Sequence, residues 1–179
     1  MIKITEQQIK AIMPQAGARA TTYAPLLEKW MNHYDINTPR RARYFLAQIA
    51  HESAQLRYTE ELASGEAYDT GAKAKALGNT PAKDGDGQKY KGRGLLQITG
   101  RTNYQAVTKA LGIDFINNPK QLATPAYATQ SACWWWKAHG LNQLADQDQF
   151  TKVTRIINGG LNGKADREHY LYLANRVKF

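Results

Sequence analysis

The segment PRRARYFLAQIAHESAQLRYTEE, residues 39 to 61, carries the clearest apolar period of the chain. From Pro39, the residues Ala42, Phe45, Leu46, Ile49 and Ala50 recur at i, i+3, i+4, i+7 and i+8. That is one continuous face of an amphipathic helix opened by a proline. At about 100° per residue, Glu52 falls about 20° from Phe45, on the margin of the apolar face. A carboxyl there is partly withdrawn from water, which disfavours the ionised form, so a raised pKa suited to proton donation near neutral pH is expected. The same position fits an acid that merely ends the helix or pairs with Arg40, Arg41 or Arg43.

Outward from this helix, most of the chain reads as helical. Thr5 with Gln8 is a capping-box pattern for a short helix that Pro14 ends. A second helix is expected from near Pro25, with Leu26, Leu27, Trp30, Met31 and Tyr34 at helical spacing. Residues 63 to 94 are rich in Gly, Ala, Lys and Asp and read as loop and turn. LLQITG, 95 to 100, alternates apolar and polar side chains, so a short strand would put Leu96 and Ile98 on one face and Gln97 and Thr99 together on the other. Helical patterns return at about 102 to 111, 125 to 139, 147 to 157 and from Asp166 onward. The expected fold is mainly α, of α+β type, with two helical lobes flanking a cleft and a small strand and loop region. The whole chain, 1–179, is expected to form one domain.

Composition narrows the function classes. Hydrophobic residues make up 42% and charged residues 22% of the 179, as in an ordinary folded protein without low-complexity tracts. The N-terminal MIKITEQQIKAIMPQ lacks the apolar run and cleavage site of a secretory leader, so synthesis and residence in the cytoplasm are expected. Cys133 is the only cysteine; set in SACWWW, it reads as a buried thiol and excludes an internal disulfide. The 24 Lys+Arg against 15 Asp+Glu give a net charge of +9, spread along the chain. Such a field favours a polyanionic partner: nucleic acid, an anionic membrane face or an acidic cell-wall polymer. HESAQ has Gln55 where a zinc-binding HExxH needs histidine, and NGGLNGKAD and GDGQKY fail the two phosphate-loop patterns. Asp84 and Asp86 lack the glutamate of a calcium loop and read as turn formers.

Glu61 lies nine residues after Glu52. In an unbroken helix it would be half a turn out of phase and about 13 Å along the axis. If the helix ends near Ser53 to Leu56 and the chain folds back, the two carboxyls can face each other. An inverting glycosidase needs about 6.5–9.5 Å between them, so that a water fits below the sugar. On position alone, a solvated acidic pair in a loop is the better reading of Glu60 and Glu61.

AHES with YTEE, then GDGQKYKGRGLLQITGRTNY, then WWW, then VTRIINGG resemble in order and character the glycoside hydrolase family 19 domain of chitinases and phage endolysins. The resemblance covers roughly residues 40 to 162. It implies a lysozyme-like fold and hydrolysis, with inversion, of a β-1,4 bond beside an N-acetylated sugar. By position, Glu52 after His51 matches the family's general acid and Glu61, in preference to Glu60, its general base. Thr99 matches the hydroxyl that helps hold the attacking water; Gln97, Asn103 and Asn158 match substrate-contacting amides. Asn158 also suits a helix C-cap. Tyr90 and Arg93 occupy the aromatic and arginine positions of YKGRG, as substrate-side groups or as structural supports of a carboxylate network. Of Trp134, Trp135 and Trp136, which span about 200° of a helix, one could stack on a sugar while the others pack. No metal and no cofactor is implied.

Two departures matter. SAQL follows Glu52 where chitinases commonly have a Gly-rich turn, and the cysteines of plant chitinases are missing. A short, basic chain of this kind resembles a phage endolysin acting on thin peptidoglycan. The expected function is therefore a monomeric peptidoglycan-cleaving muramidase, waiting in the host cytoplasm until a holin gives access to the periplasmic wall. Its positive charge favours contact with an anionic outer-membrane surface, and no nucleic acid is expected as partner. The alternatives are a chitinase on the same fold, a lytic transglycosylase, or a basic glycan- or nucleic-acid-binding protein without activity. The tail REHYLYLANRVKF reads as a last packed helix.

Overall fold

Thr5 opens α1 (Glu6–Ile12) with the reciprocal bonds of a capping box: Gln8 N donates to the Thr5 hydroxyl at 3.2 Å and Thr5 N to the Gln8 side chain at 2.7 Å. Two of the donors that a helix start leaves open are thereby satisfied. The computed structural model describes residues 1–179, and the chain divides into two units. The first comprises Met1–Tyr58 and Ala132–Phe179, the second Thr59–Ser131. The remaining helices are α2 (Arg19–His33), α3 (Pro39–Glu52), α4 (Gly71–Ala76), α5 (Asp86–Lys89), α6 (Arg101–Leu111), α7 (Pro125–Ala138), α8 (Leu141–Asp146), α9 (Phe150–Asn158) and α10 (Lys164–Asn175).

The first unit is built around α3. Thr38 caps it, its hydroxyl accepting from Arg41 N at 3.3 Å, and Tyr44 to Ala50 are all buried. Helix α10 packs along α3, and α1 and α8 flank it. Phe45 meets the indole of Trp136 edge-on at 5.3 Å, and Trp136 Nε1 donates to Asn142 Oδ1 at 2.9 Å. Of the three tryptophans, then, Trp136 is the core residue; Trp134 and Trp135 are half-buried, and Trp135 stacks on His139 at 3.8 Å. Cys133 is a buried free thiol whose pKa burial pushes up, as its apolar setting predicts. No helix is long and apolar enough to cross a membrane.

Three expectations need correction. Helix α2 starts at Arg19, not near Pro25, because Ala20, Tyr23 and Ala24 extend its buried face towards the N-terminus; Pro25 stands inside the helix, where the bond it cannot make is outweighed by that packing. The single helix expected at 147 to 157 is α9, preceded by a separate α8 and a turn with Asp148 at φ 58°. Residues 95 to 100 form a turn, not a strand: Gly94 and Gln97 both have positive φ, at 92° and 57°, which curls the run. Only isolated antiparallel bridges survive, Glu60 to Arg93 and Arg93 to Ile98.

The second unit is small and turn-rich, and its loop region contains the short helices α4 and α5 and a 3-10 turn, Glu66–Tyr68. Asp69 ties its DGDG segment by accepting from Gly85 N and Gly87 N at 3.0 and 3.1 Å. Asp84 lies in the bend, as the sequence suggested, and accepts from Asp86 N at 3.2 Å, whereas Asp86 opens α5 and pairs with Arg101 at 2.8 Å. Its core includes Tyr90, Leu95, Tyr104, Val107, Phe115 and Leu122.

Candidate functional site

Glu52 is the last residue of α3, and the helix ends where the separation of Glu52 from Glu61 requires it to end. Ser53 stops it: the Ser53 hydroxyl donates to Ile49 O at 2.5 Å and accepts from Leu56 N at 2.8 Å. Ala54, Gln55 and Leu56 then adopt φ of 47°, 60° and 67°, three successive left-handed residues without a glycine. L side chains take this conformation at about 1 kcal/mol or more each. The SAQL departure is thus the same kind of turn that glycines make cheaply.

The Glu52 carboxylate is not paired with the arginines of its own helix. Arg41 binds Asp146, Arg40 reaches Asp146 O and Arg43 reaches Val177 O. Its partner is Arg167 of α10, whose Nη2 lies 2.5 Å from Oε1, an ion pair by distance without the angle of a hydrogen bond. The Arg167 side chain is only 1% exposed and that of Glu52 19%. The guanidinium also donates from Nη1 to Gln48 Oε1 at 2.6 Å and from Nε to Asn162 O at 3.0 Å; Gln48 Nε2 in turn donates to Thr154 at 2.9 Å. A buried polar chain, Thr154 to Gln48 to Arg167 to Glu52, fixes the carboxyl. Sequence reasoning missed Arg167, and Gln48, four residues before Glu52 on the same helical face, shows its need for a polar partner only through its burial in the structure. His51 turns to α10 as well, its Nδ1 2.7 Å from Asp166 Oδ2. Gly163 is required there, since a Cβ would stand 2.2 Å from the imidazole.

On the second unit, the YTEE end separates its two acids by environment. Glu60 is an ion-pair residue, 3.0 Å from Lys91 Nζ and 3.5 Å from Arg93 Nη2. Burial raises its pKa, but Lys91 and Arg93 outweigh that and hold it below the ordinary glutamate value. The Glu61 side chain pairs with no cation. Gly92 N donates to its Oε2 at 3.1 Å, the Tyr68 hydroxyl donates at 3.4 Å, and Oε1 is enclosed without a partner. Burial first, and Glu61 second, raise the Tyr68 pKa, so its phenol remains a donor.

Three side chains converge at Gly92. A Cβ on this residue would stand 2.8 Å from Glu61 Oε2, 2.8 Å from Gln97 Oε1 and 3.1 Å from Thr99 Oγ1. Gln97 and Thr99 do share a surface, though through a turn instead of a strand. Gln97 Nε2 donates to Gly94 O at 2.9 Å, Thr99 donates to Gln97 O at 3.1 Å, and Asn103 Nδ2 donates to Thr99 O at 2.8 Å. With its proton committed, the Thr99 oxygen keeps lone pairs free to accept from a water.

The substrate-side assignments of Tyr90 and Arg93 are corrected by burial, at 0% and 2% exposure. Tyr90 packs on Tyr104 at 5.2 Å and donates to Ile116 O. Arg93 donates to Lys89 O and the Tyr104 hydroxyl besides pairing with Glu60. Both are supports beneath the YTEE segment. Asn158 is the last residue of α9, half-buried on the first unit, with Gly159 taking the left-handed C-cap at φ 75°.

Solved structures set the fold class first. A bacterial family 19 chitinase matches with TM-score 0.72 at 24% identity, over 98% of this chain and 96% of that one. Chitinase C of Streptomyces griseus matches with TM-score 0.71 at 23% identity, over 96% and 73%. The fold is the mainly helical, lysozyme-like fold of these enzymes. The family model described as chitinase class I matches residues 30–145, and the chain belongs to glycoside hydrolase family 19. It is 47% identical over 95 residues to a glycosyl hydrolase family 19 domain-containing protein of Haemophilus influenzae, covering 52% of this chain and 45% of that protein. It is 39% identical over 127 residues to an endochitinase of Arabidopsis thaliana, covering 70% and 41%. The match thus spans less than half the length of these relatives.

Proposed function

We propose that the chain is a peptidoglycan-cleaving glycosidase of endolysin type, cutting the β-1,4 bond between N-acetylated sugars by inversion. Residues 1–179 act as one monomeric catalytic domain, released from the cytoplasm onto the cell wall, with the net charge of +9 favouring the acidic polymer and an anionic outer-membrane surface. The observation that carries the reading is the convergence of Glu61, Gln97 and Thr99 over Gly92. A carboxylate without a cationic partner, beside a hydroxyl that can only accept, is suited to orient a water and take its proton. Glu52, held by Arg167, protonates the departing glycosidic oxygen. Direct attack by that water inverts the anomeric carbon, and a covalent sugar intermediate is not needed. Gln97, Asn103 and Asn158 supply amides for N-acetyl and hydroxyl groups.

The names of the plant relatives favour a second reading, a chitinase. Mass spectrometry of products from purified sacculi and from chitin oligosaccharides separates the two. Muropeptides with hydrolysed, reducing ends are expected. Cleavage of chitin oligosaccharides alone would replace the reading by the second, 1,6-anhydro ends would indicate a transglycosylase, and binding without cleavage a non-catalytic protein.

A further inference from the structure

Beside His51, the first unit holds a pocket of about 510 Å³ whose walls include Gln15, Arg19, Gln55, Arg57 and Asp166. Its cations are unused. Neither Arg19 nor Arg57 has a carboxylate within ion-pair distance, and the one acid present, Asp166, is engaged by His51 at 2.7 Å. Arg19 donates only from Nη2, to the carbonyls of Gln15 at 2.8 Å and Gln55 at 3.5 Å, and its Nε is enclosed without an acceptor. Arg57 is exposed, its guanidinium 5.2 Å from the ring of Tyr58. A guanidinium left with spare donors in a polar hollow calls for an acceptor, and a carboxylate matches its planar fork.

The wall is also where the backbone is strained. Ala54 and Gln55 line the pocket in the left-handed conformation, and the Gln55 side chain accepts from Gln15 N at 2.8 Å, joining the turn to the segment that carries Arg19. Conformations of this kind persist where surrounding structure enforces them, and they cluster at ligand sites. The pocket shares the last turn of α3 with Glu52, and Asp166 precedes Arg167, the partner of Glu52. The lining of the pocket, through Ala50, His51 and Ala54, adjoins Glu52 in the chain without including it.

We propose that this pocket holds the carboxylate of an acidic substituent on the glycan, the lactyl-peptide arm of an N-acetylmuramyl residue. The inference rests on the peptidoglycan reading and deepens it: chitin carries no carboxylate, so Arg19 and Arg57 would select between the two polymers. Neither arginine reacts; both position the strand.

The test uses the full chain, with muramyl dipeptide and its carboxamide as probes, followed by NMR titration. Muramyl dipeptide should shift the resonances of Arg19, His51 and Gln55, and the carboxamide should bind about tenfold more weakly. Arg19→Met should weaken the acid about tenfold and the exposed Arg57→Met about threefold, both with wild-type melting temperatures. In parallel, the ratio of rates on sacculi to rates on chitin oligosaccharides should fall in both variants. Equal affinity for acid and amide, absent binding, or binding insensitive to both substitutions overturns the pocket. If sacculi resist the wild type while the acid still binds here, the functional reading fails and the pocket stands. If sacculi are cleaved and muramyl dipeptide does not bind here, the reverse holds.

Discussion

Glu52 and Glu61, nine residues apart in the chain and on different units, are held in opposite ways. Glu52 ends a core helix and has its charge balanced by a buried arginine, itself tied to Gln48 and Asn162. Glu61 leaves a turn and is held by a backbone amide and a phenol, with no cation on its side chain. Glu60, beside it, takes the cations instead. The ion pair fixes the direction of the Glu52 carboxyl, while the Glu61 side chain is left without a cation.

Glu52→Gln and Glu61→Gln should each lower turnover on sacculi by about 10³-fold. Their stabilities should diverge. Glu52→Gln leaves the Arg167 charge buried and uncompensated and should cost about 3 kcal/mol, whereas Glu61→Gln should cost under about 1 kcal/mol by urea unfolding. Equal losses of stability would break the comparison. Arg167→Met should itself cost about 3 kcal/mol, and the double variant with Glu52→Gln should cost clearly less than the sum, exposing a coupling of about 2 kcal/mol. Additive losses would mean that the ion pair does not hold Glu52.

Gly92→Ala tests the other centre. Its Cβ would crowd Glu61, Gln97 and Thr99 together, so turnover should drop about 100-fold for about 1–2 kcal/mol of stability. Unaltered turnover would deny that the three act at one point. Ala54→Gly, in the left-handed turn after Glu52, should stabilise by about 0.5–1 kcal/mol, seen as a higher melting temperature. The smallest effect concerns pH. Glu60, Asp35 and Asp146 have folded pKa values held below their ordinary ones by Lys91 with Arg93, by Lys137 and by Arg41 respectively, burial opposing in each. Such groups stabilise above their unfolded pKa and lose the contribution as pH falls through the folded value. Stability should therefore decline on acidification below the ordinary carboxylate range, and Glu60→Gln should flatten that decline slightly.

Periodicity made α3 legible because its apolar face is unbroken, and the cap at Thr5 because two side chains define it locally. The start of α2 was hidden by Pro25, a local signal overridden by tertiary burial. LLQITG misled for a related reason: alternation does not distinguish a strand from a turn when Gln97 takes a positive φ that its residue type does not announce. At the site, both glutamates and the polar pair Gln97 and Thr99 could be named from sequence, the second glutamate only through the family resemblance. Arg167 could not, because a buried arginine 115 residues from its partner leaves no local pattern. Gly92 could not either, since its role is the space that a side chain would fill.

The most direct measurement is the anomeric configuration of the reducing ends first released from peptidoglycan, read by NMR before mutarotation. A water taken up by Glu61 and Thr99 while Glu52 protonates the leaving oxygen must give the α-anomer from a β-linked strand. Initial β-anomer, or a 1,6-anhydro end in place of a reducing end, would contradict the pairing of Glu52 as acid with Glu61 as base.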